Sequence, residues 1–230
     1  MPRKAWGLAL AIVIVMTHPG VWAGTSDPQT PGKSSDRTIQ VPGEVVIVLD
    51  EDLDDHLQNA REHFTQKDLT AAAADLRKAA ALLKLEAGSA LTPEDKELLQ
   101  TSAQELDRLA AEMQQKAAVT DTELNHAIAR AHYGSARHYY RQAMEDWTKK
   151  ATAQAGHDLR AAVDHVQRGL ASAGGTLTAA TRAALDEARV LAGKMIAETG
   201  FVLDRFGEGY QAVGQAIEGF GEQLGQAPAH

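Results

Sequence analysis

Residues 60–79 read AREHFTQKDLTAAAADLRKA, and residues 143–162 read AMEDWTKKATAQAGHDLRAA. The two segments align from end to end without a gap, with nine identical positions and with Phe64 opposite Trp147. In each copy an aromatic residue near the end of an apolar stripe is followed by a short polar break and then by alanines at helical spacing. The segment therefore predicts a helical hairpin that occurs twice in the chain.

The two hairpins extend into larger units of three helices each. Thr92-Pro93-Glu94-Asp95 supplies an N-cap hydroxyl, a proline at the first helical position and acids in the first turn, so it predicts the start of a third helix. We predict an all-α fold with tandem units at residues 50–118 and 119–192. Such hairpins are typical of tetratricopeptide-type repeats, which offer a groove to a peptide or protein. A duplicated helical bundle without a groove is the alternative.

The N-terminal residues have the pattern of an export signal. Within residues 1–23, two basic residues precede a short apolar run and a small-residue cleavage site, which is typical of a cleaved signal peptide. We therefore predict a periplasmic protein. Residues 24–37 predict a disordered leader, because they are rich in Pro, Gly, Ser and Asp. The β-branched residues of 38–49 predict a short β arm that packs on the helices or pairs with a partner.

The predicted mature chain is acidic and lacks cysteine. It holds 21 basic and 31 acidic residues, a formal charge of −10. Because of this charge we expect neither nucleic acid nor an anionic membrane surface as a partner. The absence of cysteine excludes disulfides, thiol catalysis and thiolate metal sites.

Glycines recur at every seventh position near the C-terminus. We predict one amphipathic helix over residues 193–225, followed by a disordered tail at 226–230. Glycine inside a helix costs about 1 kcal/mol relative to alanine, so a closely packed helix must offset this cost. That partner is either the chain's own bundle or a second copy, while acidic residues argue against a membrane. The predicted assembly seam comprises Gly193, Gly200, Leu203, Gly207, Tyr210, Gly214, Ile217 and Gly221.

One segment concentrates histidine and tyrosine. Seven of these residues predict a binding surface, because amphipathic aromatics give contact area together with a polar tip; they are His126, His132, Tyr133, His138, Tyr139, Tyr140 and Trp147. The alternative interpretation places the aromatics in the core. Glu123 and His126 are weak metal candidates, since a di-iron bundle needs this Glu-x-x-His motif twice. No catalytic signature is present, so we expect a protein that is not an enzyme and has no cofactor.

The segment AREHFTQKDLTAAAADLRKA, with its copy and the glycine-rich tail, resembles exported helical-repeat proteins of proteobacteria, and the segment itself is similar to the YfdX family of periplasmic helical proteins. This resemblance implies a role in stress response or as a chaperone. We therefore predict a non-enzymatic protein for interaction or assembly, with a protein, a peptide or a second copy as its partner. The alternative is a metal- or cofactor-binding bundle in which His126, His132 and His138 converge.

Overall fold

The computed structural model describes residues 38–41, 44–47, 49–197 and 203–225. The predicted signal peptide, leader, Gly200 and C-terminal tail lie outside these ranges. From Leu49 onward the described residues form an all-helical bundle, as predicted. Its seven helices are α1 (Leu49–Thr65), α2 (Leu69–Ser89), α3 (Pro93–Gln114), α4 (Asp121–Thr148), α5 (Thr152–Ser172), α6 (Ala179–Ile196) and α7 (Leu203–Gly225). Ahead of them, β1 (Thr38–Val41) and β2 (Glu44–Ile47) pair in antiparallel register.

Threonine hydroxyls begin three of the helices. Thr92 accepts a hydrogen bond from the Asp95 N–H at the start of α3, with Pro93 at the first helical position, as the sequence predicts. Thr120 begins α4 in a capping box with Glu123, whose carboxylate reaches back to the Thr120 N–H (2.8 Å). Thr178 caps α6 in the same way as Thr92 caps α3. These caps satisfy N–H groups that a helix start leaves without partners.

Two helix ends at aligned positions of the repeated segments have the same geometry. Lys67 follows α1 and Lys150 follows α4, and both adopt the left-handed conformation, at φ 65° and φ 62°. Each lysine N–H bonds the carbonyl of the aromatic residue three positions earlier, and the next N–H bonds the carbonyl five positions before it. A left-handed residue that recaptures these carbonyls is a common way to end a helix. The first and last residues of α2 and α5 also align with each other.

Helix α4 takes part in both hydrophobic cores. Its N-terminal half packs Leu124 and Ile128 into a core built from α1, α2 and α3. Its alanines Ala129, Ala136 and Ala143, which recur at every seventh position, face a second core built with α5, α6 and α7. Small side chains on this second face let the neighbouring helices approach α4 closely.

Buried polar contacts fasten α4 to the α2–α3 hairpin. Asp95 is fully buried and forms ion pairs with Arg137 and Arg141 of α4. Glu86 is also buried and accepts a hydrogen bond of 2.6 Å from the Ser135 hydroxyl. A buried carboxylate is tolerated when it is paired and hydrogen-bonded, as Asp95 is.

Two described helices lie within residues 193–225, where the sequence predicts one. Gly193 belongs to α6, which ends at Ile196 with the Ala197 N–H bonded to the Gly193 carbonyl. Helix α7 begins at Leu203 and packs against α4, α5 and α6. If α6 continued straight past Ile196, the apolar residues of 203–225 would lie beyond the end of the bundle, because a helix rises about 1.5 Å per residue along its axis. The separate α7 instead buries Phe206, Val213 and Phe220 in the second core.

Candidate functional site

The two surfaces that the sequence predicts as separate binding sites contact each other. Three aromatic side chains of α4 at every seventh position pack on three of α7, which runs in the opposite direction. Tyr133 meets Phe220 edge-on at 5.5 Å between ring centroids. Tyr140 stacks on Tyr210 at 3.9 Å, and Trp147 stacks on Phe206 at 4.2 Å. The predicted binding surface therefore covers the predicted assembly seam within one chain.

Two glycines of α7 make this contact possible. A Cβ atom at Gly214 would lie 2.5 Å from the Tyr140 hydroxyl oxygen, and one at Gly221 would lie 2.6 Å from that of Tyr133. Gly193 and Gly207 have nothing within 4 Å of such an atom. The glycine spacing predicts a close helix partner. At Gly214 and Gly221 that partner is α4 of the same chain. Ile217 is buried and Tyr210 half-buried, while the side chain of Leu203 lies outside the described residues.

The central histidines of the histidine- and tyrosine-rich segment are buried. His132 and His138 are 2% and 4% exposed. Tyr133, Tyr139, Tyr140 and Trp147 are half-buried and pack against the second core. The physical reason is the coverage of α4 by α5 and α7, which turns amphipathic aromatics into core residues with their polar atoms between helices.

The histidines of α4 point in different directions. His126, His132 and His138 follow one another at every sixth position, and each step turns a helix by about 240°. His126 hydrogen-bonds the backbone of Leu224, whereas His132 contacts α5. The Glu123 carboxylate is engaged by the Thr120 cap. In the described part of the chain, no three histidine or acidic side chains form a group that could hold a metal ion.

A cleft lies between α1, α4 and α5, where the first and second cores meet. Its volume is about 610 Å³. Leu57 and Ile128 form an apolar floor together with His132. The walls are mostly polar and comprise Asp54, Gln58, Arg61, Glu62, Thr65, Gln66, Arg168, Ala171 and Ser172. Of the predicted site residues, only His132 lines this cleft.

The hydroxyl groups of the cleft are turned toward helix backbone. The Thr65 hydroxyl donates to the Arg61 carbonyl at 2.9 Å, and the Ser172 hydroxyl donates to the Arg168 carbonyl at 3.0 Å. Neither hydroxyl is hydrogen-bonded to a histidine or carboxylate that would act as a general base. Both hydroxyl groups are therefore engaged by the backbone of their own helix.

Charged groups gather at the α5 end of the cleft. Asp54 lies 3.3 Å from Arg168 Nε and 3.8 Å from His132 Nε2. The Nδ1 atom of His132 is 2.9 Å from the Nδ1 atom of His165, so one ring donates its proton to the other. A proton on His132 Nε2 is favourable because this atom faces the Asp54 carboxylate. A neutral ring carries only one proton, so His132 Nδ1 is then the acceptor and His165 Nδ1 is the donor. Burial, the nearby His165 and the Arg168 charge all lower the pKa of His132, so it is neutral at pH 7.

One signal of this cleft is present in the sequence beside the apolar stripe of α1. Asp54, Gln58, Glu62 and Gln66 recur at every fourth position, which places them on one face of that helix. The facing residues of α4 and α5 are far away in the chain, so the polar face by itself does not reveal a cleft.

No family model, curated protein or solved structure matches this chain. Within the described residues, no helix combines the length and the apolar character that crossing a membrane requires.

Proposed function

We propose that this protein is a non-enzymatic binding protein that holds an extended polypeptide segment in the cleft between α1, α4 and α5. The observation that supports this most is the shape and lining of the cleft. Its α1 wall runs from Asp54 to Gln66, about 18 Å along the helix axis at about 1.5 Å per residue. An extended peptide rises about 3.3 Å per residue, so the wall matches about five residues.

The chemistry of the walls suits a peptide backbone. Gln66 offers both a donor and an acceptor, which is what alternating N–H and C=O groups require. The Gln58 amide donates one N–H to Glu62 at 2.9 Å and keeps its carbonyl oxygen and its second N–H for a partner. Arg61 and Glu62 add one charge of each sign, and Arg61 forms no ion pair among the described residues. The apolar floor at Leu57 and Ile128 can take an aliphatic side chain. We therefore expect a partner segment with mixed polar and aliphatic residues.

The architecture that carries this cleft is, in our proposal, a tandem duplication of three-helix units. The aligned bounds of α2 and α5 and the matching left-handed turns at Lys67 and Lys150 support it. The cleft then lies where one unit meets the next, as expected for tetratricopeptide-like hairpins. We also propose an arm at residues 38–49, and export to the periplasm through a cleaved signal at residues 1–23. From the resemblance that the sequence of residues 60–79 suggests to YfdX proteins, we also propose a stress-related or chaperone role.

A displayed library of random twelve-residue peptides tests the proposal. The full-length protein selects peptides, which are then synthesised and measured by isothermal titration calorimetry. Ala171 lines the cleft and is exposed, so Ala171→Trp blocks it without removing a core contact. Ala74 is an exposed alanine of α2 outside the cleft, and Ala74→Trp is the matched control.

We expect selected peptides to lose at least tenfold in affinity for the Ala171→Trp variant and to bind the Ala74→Trp variant as they bind the parent. Circular dichroism of both variants confirms that each is folded. A library that yields no binder, or binders that do not distinguish the two variants, would contradict the proposal.

A further inference from the structure

Equivalent positions in the two repeated segments hold different pairs of titratable groups. The alignment places Asp75 opposite Asp158 and His63 opposite Asp146. In the first segment, Asp75 Oδ2 is 3.0 Å from His63 Nδ1, and Asp75 Oδ1 is 3.1 Å from Lys78 Nζ. Burial alone would raise the pKa of Asp75, but the hydrogen bond and charge of Lys78 and the hydrogen bond of His63 lower it. This carboxylate is therefore ionised and paired.

The second segment has a carboxyl group where the first has a histidine. Asp158 on α5 is 6% exposed, and its carboxyl group hydrogen-bonds that of Asp146 on α4. The amide of Gln154 donates to Asp158 Oδ1 at 3.3 Å. The buried Oδ2 atom accepts from no N–H or hydroxyl donor in the described part of the chain. Protonation of this carboxyl group would let it donate a hydrogen bond to its neighbour.

We propose that Asp146 and Asp158 form a proton-dependent latch between α4 and α5, closed while the two carboxyl groups share one proton and loosened when that proton is lost. Two carboxylates in contact repel each other when both are ionised, most strongly where one is buried. Burial raises the pKa of Asp158 to about 8, and the hydrogen bond and charge of Asp146 act in the same direction. The latch is thus closed at neutral pH and loosens in mildly alkaline solution.

The charged surroundings of the latch are few. On α4, Glu145 pairs with Lys149 (3.2 Å), whose ammonium lies 4.0 Å from Asp146. On α5, His157 and Arg160 are near Asp158 in the sequence, and Arg160 Nε lies 3.9 Å from Asp164. Among the described residues, α6 and α7 form no ion pair or hydrogen bond with either carboxyl group. Lys149 is therefore paired with Asp146, while no cation of the described residues forms an ion pair with Asp158.

The latch is linked to the contact between α4 and α7. Trp147 follows Asp146 directly and stacks on Phe206 of α7. Loss of the shared proton is therefore expected to loosen the aromatic contact at this end of α4 as well as the α4–α5 contact.

The latch has a defined effect on stability. A free aspartate has a pKa of about 3.9, so the unfolded chain loses this proton at lower pH than the native protein does. The native state then binds more protons than the unfolded state between about pH 4 and pH 8, and the unfolding equilibrium constant rises as the pH rises through that window. Above about pH 8 the native protein also releases the proton, and this contribution levels off.

Urea unfolding of the full-length protein between pH 5 and pH 9 tests the latch, together with a carboxyl-carbon NMR titration. Asp158→Asn mimics the protonated acid, so we expect an unfolding constant at least tenfold lower than that of the parent at pH 8 and a weaker dependence on pH. Asp75→Asn is the matched control at the aligned position. Since that carboxylate is ionised and paired, its loss is expected to raise the unfolding constant at pH 7.

Asp146→Asn provides a second readout should Asp158→Asn fail to fold. Without the neighbouring charge, the NMR titration of Asp158 is expected to move to lower pH than in the parent. An Asp158 carboxyl group that titrates near pH 4 in the parent protein would overturn the latch. So would Asp158→Asn and Asp75→Asn variants that change stability in the same direction at pH 8.

Discussion

Alanine substitutions at the glycines that recur every seventh residue should change stability in opposite directions, although the sequence pattern treats these positions as equivalent. Gly193 and Gly207 are helical and have open space where an added methyl group would lie. Alanine there removes only the helical penalty of glycine, so each substitution is expected to raise the free energy of unfolding by about 1 kcal/mol.

Gly214 and Gly221 should behave differently because tyrosines of α4 fill the space beside them. The new methyl carbon would lie 2.5 Å from the Tyr140 oxygen at Gly214 and 2.6 Å from the Tyr133 oxygen at Gly221. Non-bonded atoms prefer about 3.5–4.0 Å, so each tyrosine must move by about 1 Å. Overpacking of this kind costs about 1–3 kcal/mol. After the gain in helix propensity, each substitution is expected to destabilise the protein by about 0–2 kcal/mol.

Urea unfolding followed by far-UV circular dichroism measures all four variants of the full-length chain. A double-mutant cycle of Gly214→Ala with Tyr140→Phe then identifies the contact, because phenylalanine lacks the oxygen that the methyl group meets. We expect the cycle to show a favourable coupling of about 0.5–1.5 kcal/mol. Four equal stabilisations, with no coupling in the cycle, would refute the docking of α7 on the tyrosines of α4.

Three further predictions concern charge, pH and assembly. Asp95→Asn removes the buried partner of Arg137 and Arg141, and we expect a loss of about 3 kcal/mol in urea unfolding; an unchanged midpoint would contradict the pairing. Burial lowers the pKa of His138 to about 4. The charge of Asp95 acts against this shift, and His165 acts with it. The unfolded chain therefore binds this proton first, and stability is lost as the pH falls from about 6.5 to 4. The free energy of unfolding of His138→Asn should therefore fall less than that of the parent between pH 7 and pH 4.5, by up to roughly 3 kcal/mol. Truncation after Thr199 uncovers the aromatic face of α4, so we expect lower stability rather than conversion of a multimer into a monomer. Light scattering of both forms checks this, and a multimeric parent with a monomeric truncated form would restore the assembly-seam hypothesis.

The sequence predicts those features of the fold that depend on neighbouring residues. The helix start at Thr92 follows from local capping chemistry, and the break after Thr65 follows from the loss of apolar periodicity. The heptad of glycines likewise predicts a closely packed helix partner. Each of these signals lies within one segment, and its physical cause acts over a few residues.

The parts that the sequence does not predict depend on contacts between distant segments. Periodicity in α7 shows that a partner exists, but the choice of α4 depends on Tyr133 and Tyr140, which lie far away in the chain. The cleft needs faces of α1, α4 and α5 together, and the His132–His165 pair joins residues 33 positions apart. No spacing rule within a single helix contains this information.

The membership of α4 in both cores has a consequence for the dynamics of the molecule. A helix of 28 residues is about 42 Å long, and its amide groups can exchange with solvent only when the side chains on one of its two apolar faces separate. Neither half of the bundle can release α4 without disturbing the other. The slowest-exchanging amides should therefore form one continuous run along the middle of α4, and both halves of the protein should share a single exchange-limiting opening event.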